Sequence, residues 1–291
     1  MSTLPDAPVL TLNSAATIPQ IGFGTFQIPP EQTRAAVEEA LSIGYRHIDT
    51  AAGYYNEAGV GEAVNGSGLA RDDIFVTTKL RNYDQGANRA REAFERSLDA
   101  LGLDRVDLYL IHWPVPSADL YVETWEELIR IRDEGLATSI GVSNFLPDHL
   151  LRLVDETGVV PAVNQIEAHP LFHRPELRAL CRDLGVVVEA YSPLGQGADL
   201  ADPTVVSIAD RIGSTPAQVV LAWHLSVGHV VIPKSVHPDR MAENLAAAAV
   251  ALSDVDADEL NLLHREDGRV GGDPATFSFP QTLEDMKARG E

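Results

Sequence analysis

The sequence predicts an α/β fold, a (β/α)8 TIM barrel with an N-terminal β-hairpin and a C-terminal loop. Two observations carry that reading. Short apolar runs alternate with helix-period segments almost to the end of the chain, giving eight βα units. Most of these runs are continuously apolar, the pattern of parallel strands covered on both faces. A doubly wound open sheet is the alternative. No linker or low-complexity stretch divides the 291 residues, so 1–291 reads as a single domain.

Taken in order, Pro8 to Gln20 reads as two short strands about an Asn13-Ser14 turn. Strands are then expected over 20–26, 47–50, 74–79, 106–112, 138–142, 162–167, 186–191 and 230–233. Helical patterns fall over 31–42, 56–67, 86–101, 118–134, 147–157, 174–184, 203–212, 215–226, 238–249 and 254–263. Asn56 is placed to cap the second helix, and Ser214-Thr215-Pro216 reads as a cap followed by an early-helix proline. Gly44, Gly102, Gly135, Gly158 and Gly185 each follow a helix. Beyond His264 the chain reads as an irregular loop.

An apolar share of 45% is ample for a large core. The formal net charge of −21 argues against nucleic acid and anionic membrane surfaces, and any anionic ligand requires a local basic patch. The single cysteine, Cys181, excludes internal disulfides and is expected to be inert packing. No run has the length of a membrane span and the N-terminus lacks a signal pattern, so a soluble cytoplasmic protein is expected.

In such a barrel the chemistry belongs at the C-terminal ends of the strands. There the second strand closes on Asp49, the third on Lys79 and the fourth on His112-Trp113, with Tyr54 just past Asp49. Each has an ordinary reading alone, but neighbouring strand ends should bring the four together. A buried carboxylate needs a cationic partner, which Lys79 supplies. An ammonium beside a phenol stabilises the phenolate and is expected to lower its pKa, while the imidazole orients and donates to a carbonyl oxygen. The group reads as a general acid for a reaction that generates an alkoxide.

The segments GYRHIDTAAGYYNE, VTTKL, LIHWP, IGVSNF, YSPLGQG and VIPKSVHPDRMAEN resemble the aldo-keto reductase family over essentially the whole chain. YSPLGQG and the compact length resemble the bacterial branch that reduces diketo-sugar acids and other small carbonyls. The resemblance implies Tyr54 as proton donor, Lys79 with Asp49 as its tuning pair, and His112 as the orienting group. It implies an NADP(H) cofactor, which must be held without the strand-glycine dinucleotide fingerprint that this chain lacks. Ser143, Asn144 and Gln165 would bind the carboxamide, Tyr191 would stack on the nicotinamide, and Ser192 and Leu194 would begin a loop over the pyrophosphate. Lys234, Ser235 and Arg240 would hold the 2′-phosphate, Glu243 and Asn244 the adenine, and Gly24, Thr25, Asp49, Ile232 and Val236 complete the contacts. Phe26, Tyr55, His112 and Trp113 would form the substrate mouth. Many relatives carry tryptophan where Phe26 stands, and some an aromatic where Arg81 stands, which bears on the substrate. Arg81 reads equally as a reader of acidic substrates or a surface charge. The loop over 268–280 is expected to line the pocket.

The leading reading is a reductase of small carbonyls, without metal and expected to be a monomer. A nicotinamide-binding regulatory subunit with vestigial turnover is the alternative. An unrelated barrel aldolase with Lys79 as a Schiff-base nucleophile is a third, which Asp49 disfavours by keeping the lysine charged.

Overall fold

A computed structural model describes residues 4–282 and residue 284. The chain opens with an antiparallel hairpin, β1 (Val9–Thr11) and β2 (Thr17–Pro19). Parallel strands follow: β3 (Phe23–Gly24), β4 (His47–Asp49), β5 (Phe75–Leu80) and β6 (Val106–Ile111). The second half adds β7 (Ala137–Ser143), β8 (Val163–Glu167), β9 (Val187–Tyr191) and β10 (Val230–Val231). They lie side by side in chain order. A parallel bridge from Ile21 to Val231 joins the two ends, with the Gly22 N–H donating to the Val231 carbonyl at 2.8 Å. The sheet therefore closes into a barrel. At this seam a Cβ on Gly24 would lie 2.7 Å from the Ile232 carbonyl oxygen, so glycine alone permits the approach.

The helices wrap the outside: α1 (Pro30–Ile43), α2 (Glu57–Gly66), α3 (Ala87–Leu101), α4 (Tyr121–Asp133) and α5 (Pro147–Thr157). They continue as α6 (Pro175–Leu184), α7 (Pro203–Ile212), α8 (Pro216–Ser226), α9 (Pro238–Ala246) and α10 (Asp254–Asn261). Strand side chains alternate between two environments. On β5, Val76 and Leu80 join the layer between sheet and helices, whereas Phe75 belongs to a second cluster inside the barrel. That inner cluster includes Leu12 and Ile18 of the hairpin, packed against Leu108, Leu110, Val163 and Val230. Ser14 and Ser139 share a 2.7 Å hydrogen bond, and the Asn13 amide donates to the Pro161 carbonyl at 3.0 Å. The hairpin is thus an apolar plug at the N-terminal end, which leaves the opposite end for polar groups.

Several boundaries shift from expectation. The first and last barrel strands pair over two residues each, and Pro233 has no N–H to extend the seam between β10 and β3. The fourth helix begins at Tyr121, because Asp119 has φ 53° and cannot lie in a right-handed helix. The helix expected over 238–249 breaks at Ala246 into a 3-10 turn. Asn56 stands at the start of α2 without capping it. Its amide donates instead to the Thr25 and Ile28 carbonyls and accepts from Thr50 Oγ1, clamping the loops that follow β3 and β4. Thr215 does cap α8, in a reciprocal box with Gln218. Cys181 is fully buried, and burial pushes its thiol up to about 11, as inert packing requires. Among the described residues no helix is long and apolar enough to cross a membrane.

Buried histidines give the fold an acid limit. His224 Nε2 donates to the Pro193 carbonyl at 3.1 Å, and its Nδ1 meets His229 Nδ1 at 3.0 Å. Burial pushes His224 and His47 down to about 3. The unfolded chain therefore binds more protons below pH 6.5, and stability falls as pH drops from there toward 3. At pH 5 each such histidine should cost about 2 kcal/mol. Melting temperature should drop more steeply between pH 7 and pH 5 in the native protein than in His224→Gln; equal slopes would contradict this account.

Candidate active site

The ends of β4 and β5 place Asp49 and Lys79 side by side. Lys79 Nζ donates to Asp49 Oδ1 at 2.6 Å and to the Thr50 carbonyl at 2.9 Å, and lies 3.5 Å from the Tyr54 hydroxyl. Three partners engage all three ammonium protons. A 3-10 turn, Ala52–Tyr54, carries the tyrosine, and His112 just past β6 meets its ring edge-on at 5.6 Å. The four residues singled out in the sequence converge.

Lys79 and Asp49 are 0% and 1% exposed, so each needs the other. Burial acts against the ammonium, yet Asp49, Tyr54 and Glu189 outweigh it and hold its pKa above the ordinary value. A lysine so charged has no lone pair for Schiff-base chemistry. The phenol departs from expectation. Burial lifts Tyr54 above the ordinary phenol range and outweighs the downward pull of Lys79, with Phe26 and the His112 ring packed against it. Tyr54 is therefore fully protonated at neutral pH, and Lys79 limits the cost of its ionisation rather than lowering its pKa outright. Burial, with the Lys79 charge, holds His112 well below its usual range, so the imidazole is neutral.

A second connected set lies at the ends of β7, β8 and β9. Gln165 Nε2 donates to Asp49 Oδ2 at 2.8 Å and to Glu189 Oε2 at 3.0 Å. Turning this amide over would aim its oxygen at the Asp49 carboxylate, so Oε1 is its remaining acceptor. Asn144 Nδ2 donates to the His112 carbonyl at 3.0 Å and to Ser143 Oγ at 3.1 Å, and its Oδ1 accepts from the Tyr191 hydroxyl at 2.8 Å. Thr25 Oγ1 donates to the Asp49 carbonyl at 3.0 Å, which ties the first strand to this group.

Beyond β9, Ser192 (φ 46°) turns the chain into a loop of two 3-10 turns, Gly195–Gly197 and Asp199–Ala201. Beside it a cavity of about 490 Å³ is lined by Leu194, Lys234, Ser235, Arg240, Glu243 and Asn244, with Val236. Ile232 lies buried at the strand end behind it. Neither Lys234 nor Arg240 has an ion-pair partner among the described residues, although acidic side chains outnumber basic ones 43 to 22. The chain has three lysines in all, Lys79, Lys234 and Lys287. Thr215, Pro216 and His237 put the starts of α8 and α9 on the same cavity, and helix N-termini favour anions. Unpaired cations with two helix starts fit the phosphates of a dinucleotide. Leu200, Thr215 and His237 were not among the expected contacts; the Thr215-Pro216 helix start was the available signal.

The expected mouth is partly rearranged. Phe26 is 45% exposed and packs on Tyr54 at 5.1 Å. Trp113 is only 8% exposed, because Phe277 of the C-terminal loop stacks on it at 3.9 Å. The Tyr55 hydroxyl is not free for substrate: it donates to the Gln281 carbonyl at 2.9 Å and accepts from Arg81 at 2.9 Å. Arg81 is itself paired with Asp84 at 2.6 Å, which makes it a structural charge.

Three further groups escaped the sequence reading. Glu189, in an apolar strand, is fully buried and pushed up to about 8 by burial and by Asp49; its position two before Tyr191 was the signal. Gln281 reaches His112 from the C-terminal tail. His169 pairs with Asp199 at 2.8 Å and Glu167 at 3.4 Å, and Glu167 accepts the Val270 and Gly271 N–H groups at 2.6 and 2.7 Å. Although burial opposes it, these carboxylates raise His169 to about 9, so one imidazolium ties the C-terminal loop to the loop after β9.

Removing the cation should expose the cost of the buried acid. Lys79→Met should destabilise the protein by about 3–5 kcal/mol, and adding Asp49→Asn should recover part of the loss in denaturant melts. An additive double variant would contradict the coupling.

Comparison with known proteins agrees with this geometry. The Aldo/keto reductase family profile matches residues 20–264. An aldo-keto reductase of Mycolicibacterium smegmatis is 52% identical over 274 residues, covering 94% of this chain and 99% of that one. Methylglyoxal reductase DkgA of Salmonella typhimurium is 47% identical over 273 residues, with coverage of 92% and 98%. A mutant of Gox0644 solved in complex with NADPH superposes with a TM-score of 0.91 at 44% identity, covering 94% of this chain and 100% of that one. With its barrel, its strand-end tetrad and these relatives in agreement, the chain belongs to the aldo-keto reductase family.

Proposed function

We propose that the protein reduces small aldehydes and ketones to alcohols with NADPH, Tyr54 giving the proton to the nascent alkoxide. The observation that carries this is the Lys79 ammonium, saturated by Asp49, Thr50 and Tyr54 at the mouth of the barrel. NADPH supplies a hydride to the carbonyl carbon. Tyr54, neutral at rest, transfers its proton to the carbonyl oxygen, and Lys79 stabilises the phenolate left behind. His112, neutral, orients that oxygen as a hydrogen-bond donor. The fixed acceptors Gln165 Oε1 and Asn144 Oδ1 suit the carboxamide, Tyr191 the nicotinamide face, and Lys234 and Arg240 the 2′-phosphate.

The substrates are small carbonyls, with methylglyoxal favoured by the relative named for it and keto-sugar acids a further class. Arg81 is engaged by Asp84 and Tyr55, which supports a substrate carboxylate adding little affinity. The complete proton-donor set counts against a regulatory subunit with vestigial turnover.

NADPH oxidation against methylglyoxal, an aromatic aldehyde and a diketo-sugar acid should fall about 10²–10⁴-fold in Tyr54→Phe, with NADPH affinity within about twofold. Unchanged turnover would overturn the role of Tyr54. Arg240→Ala should weaken NADPH about ten- to a hundredfold and leave NADH nearly unaffected, which fluorescence titration of both cofactors would measure.

A further inference from the structure

The C-terminal tail enters the site at one point. The chain segment ending at Gln281 lies along the loop after β5. The Tyr83 N–H donates to the Pro280 carbonyl at 3.0 Å, and the Asn82 side-chain amide to the Phe279 carbonyl at 2.8 Å. Tyr55 OH then holds the Gln281 carbonyl at 2.9 Å. Gln281 itself has φ 67°, a conformation a side chain rarely adopts, and is 8% exposed. These contacts hold its side chain against His112.

The hydrogen bonds of that side chain leave one assignment. The Asn82 backbone N–H can only donate, and it meets Gln281 Oε1 at 3.1 Å. The other arm of the amide is therefore the NH2 group, and it lies 3.3 Å from His112 Nδ1. An NH2 group only donates, so Nδ1 must be the bare, accepting nitrogen. The neutral ring then carries its proton on Nε2. We propose that Gln281 is a positioning residue that holds His112 in the Nε2–H tautomer, so that the ring meets a carbonyl oxygen as a donor. Burial and the Lys79 charge keep His112 from taking a second proton, so a neutral ring in the wrong tautomer would turn a lone pair toward the substrate. The backbone of one loop thus sets the tautomer of a side chain on the next strand, through a residue 169 positions away in the chain. The inference rests on the reading of His112 as the group that orients the carbonyl.

The test uses the full-length chain with 15N-labelled histidine, the His112 signals being identified by their loss in His112→Gln. The native protein should show Nε2 protonated and Nδ1 bare at neutral pH. Gln281→Leu removes the donor and should give mixed tautomers, with kcat down about threefold to tenfold. Gln281→Glu keeps the shape and the bond from Asn82. Read at pH 8, where its carboxyl is ionised, it offers Nδ1 only an acceptor. It should reverse the tautomer and lower kcat more than the leucine does. NADPH affinity should stay within about twofold in both variants, and thermal melts confirm folding. A structural role alone predicts the opposite order, the isosteric glutamate being milder than leucine. Native His112 protonated on Nδ1, or a Gln281→Glu enzyme with native kcat at pH 8, would overturn the proposal. If turnover is unchanged in His112→Gln, the reading of His112 fails, while the labelled spectra still decide the part played by Gln281.

Discussion

Everything at the mouth of the barrel follows from one buried ion pair. Lys79 and Asp49 are both out of water, where neither would stay charged without the other. Adjacent strands hold the two groups at 2.6 Å, since β4 and β5 fix their ends by ladder hydrogen bonds. The remaining demands of the pair recruit its neighbours. The ammonium takes the Thr50 carbonyl and reaches Tyr54, and the second carboxylate oxygen takes Gln165. Tyr54 and the Gln165 amide are thereby parts of one network.

Apolar walls and the ammonium act on Tyr54 in opposite senses. Burial by Phe26 and the His112 ring raises the phenol, and Lys79 draws it back. The resting tyrosine keeps its proton, yet its ionised form is already matched by a fixed charge. The same low-polarity surroundings hold His112 neutral, so the site contains an uncharged phenol beside an uncharged imidazole. Plugging the other end with the hairpin keeps water from this network along the barrel axis, since Leu12 and Ile18 close the interior below Leu110.

The fold was legible because strand ends and helix ends carry distinct residues. Asp49 and Lys79 each interrupt an apolar strand at its last turn, and no packing argument explains a charge there. Glu189 obeys the same logic but sits mid-strand, where its parity with Tyr191 alone marks it as interior. The pairing of Arg81 with Asp84, three residues on, was also within reach of the sequence. The role of Gln281 was not: no periodicity or spacing connects a tail residue with His112. Nor was the loss of the Tyr55 hydroxyl to that tail, or the net upward shift of Tyr54, because both depend on which chain segment arrives from far away.

The scarcity of lysine has a practical consequence. One ammonium is sealed beside Asp49, and another stands exposed on the wall of the cavity next to the loop after β9. Among the described residues, an amine-directed reagent meets an accessible side chain only at Lys234. Coupling this protein to a resin or a dye through its amines therefore reaches, besides the α-amine and Lys287, the groove proposed to take phosphate. Carboxylates, which the chain carries in excess, offer many attachment points away from that groove, where Glu243 is the one acidic residue of the lining.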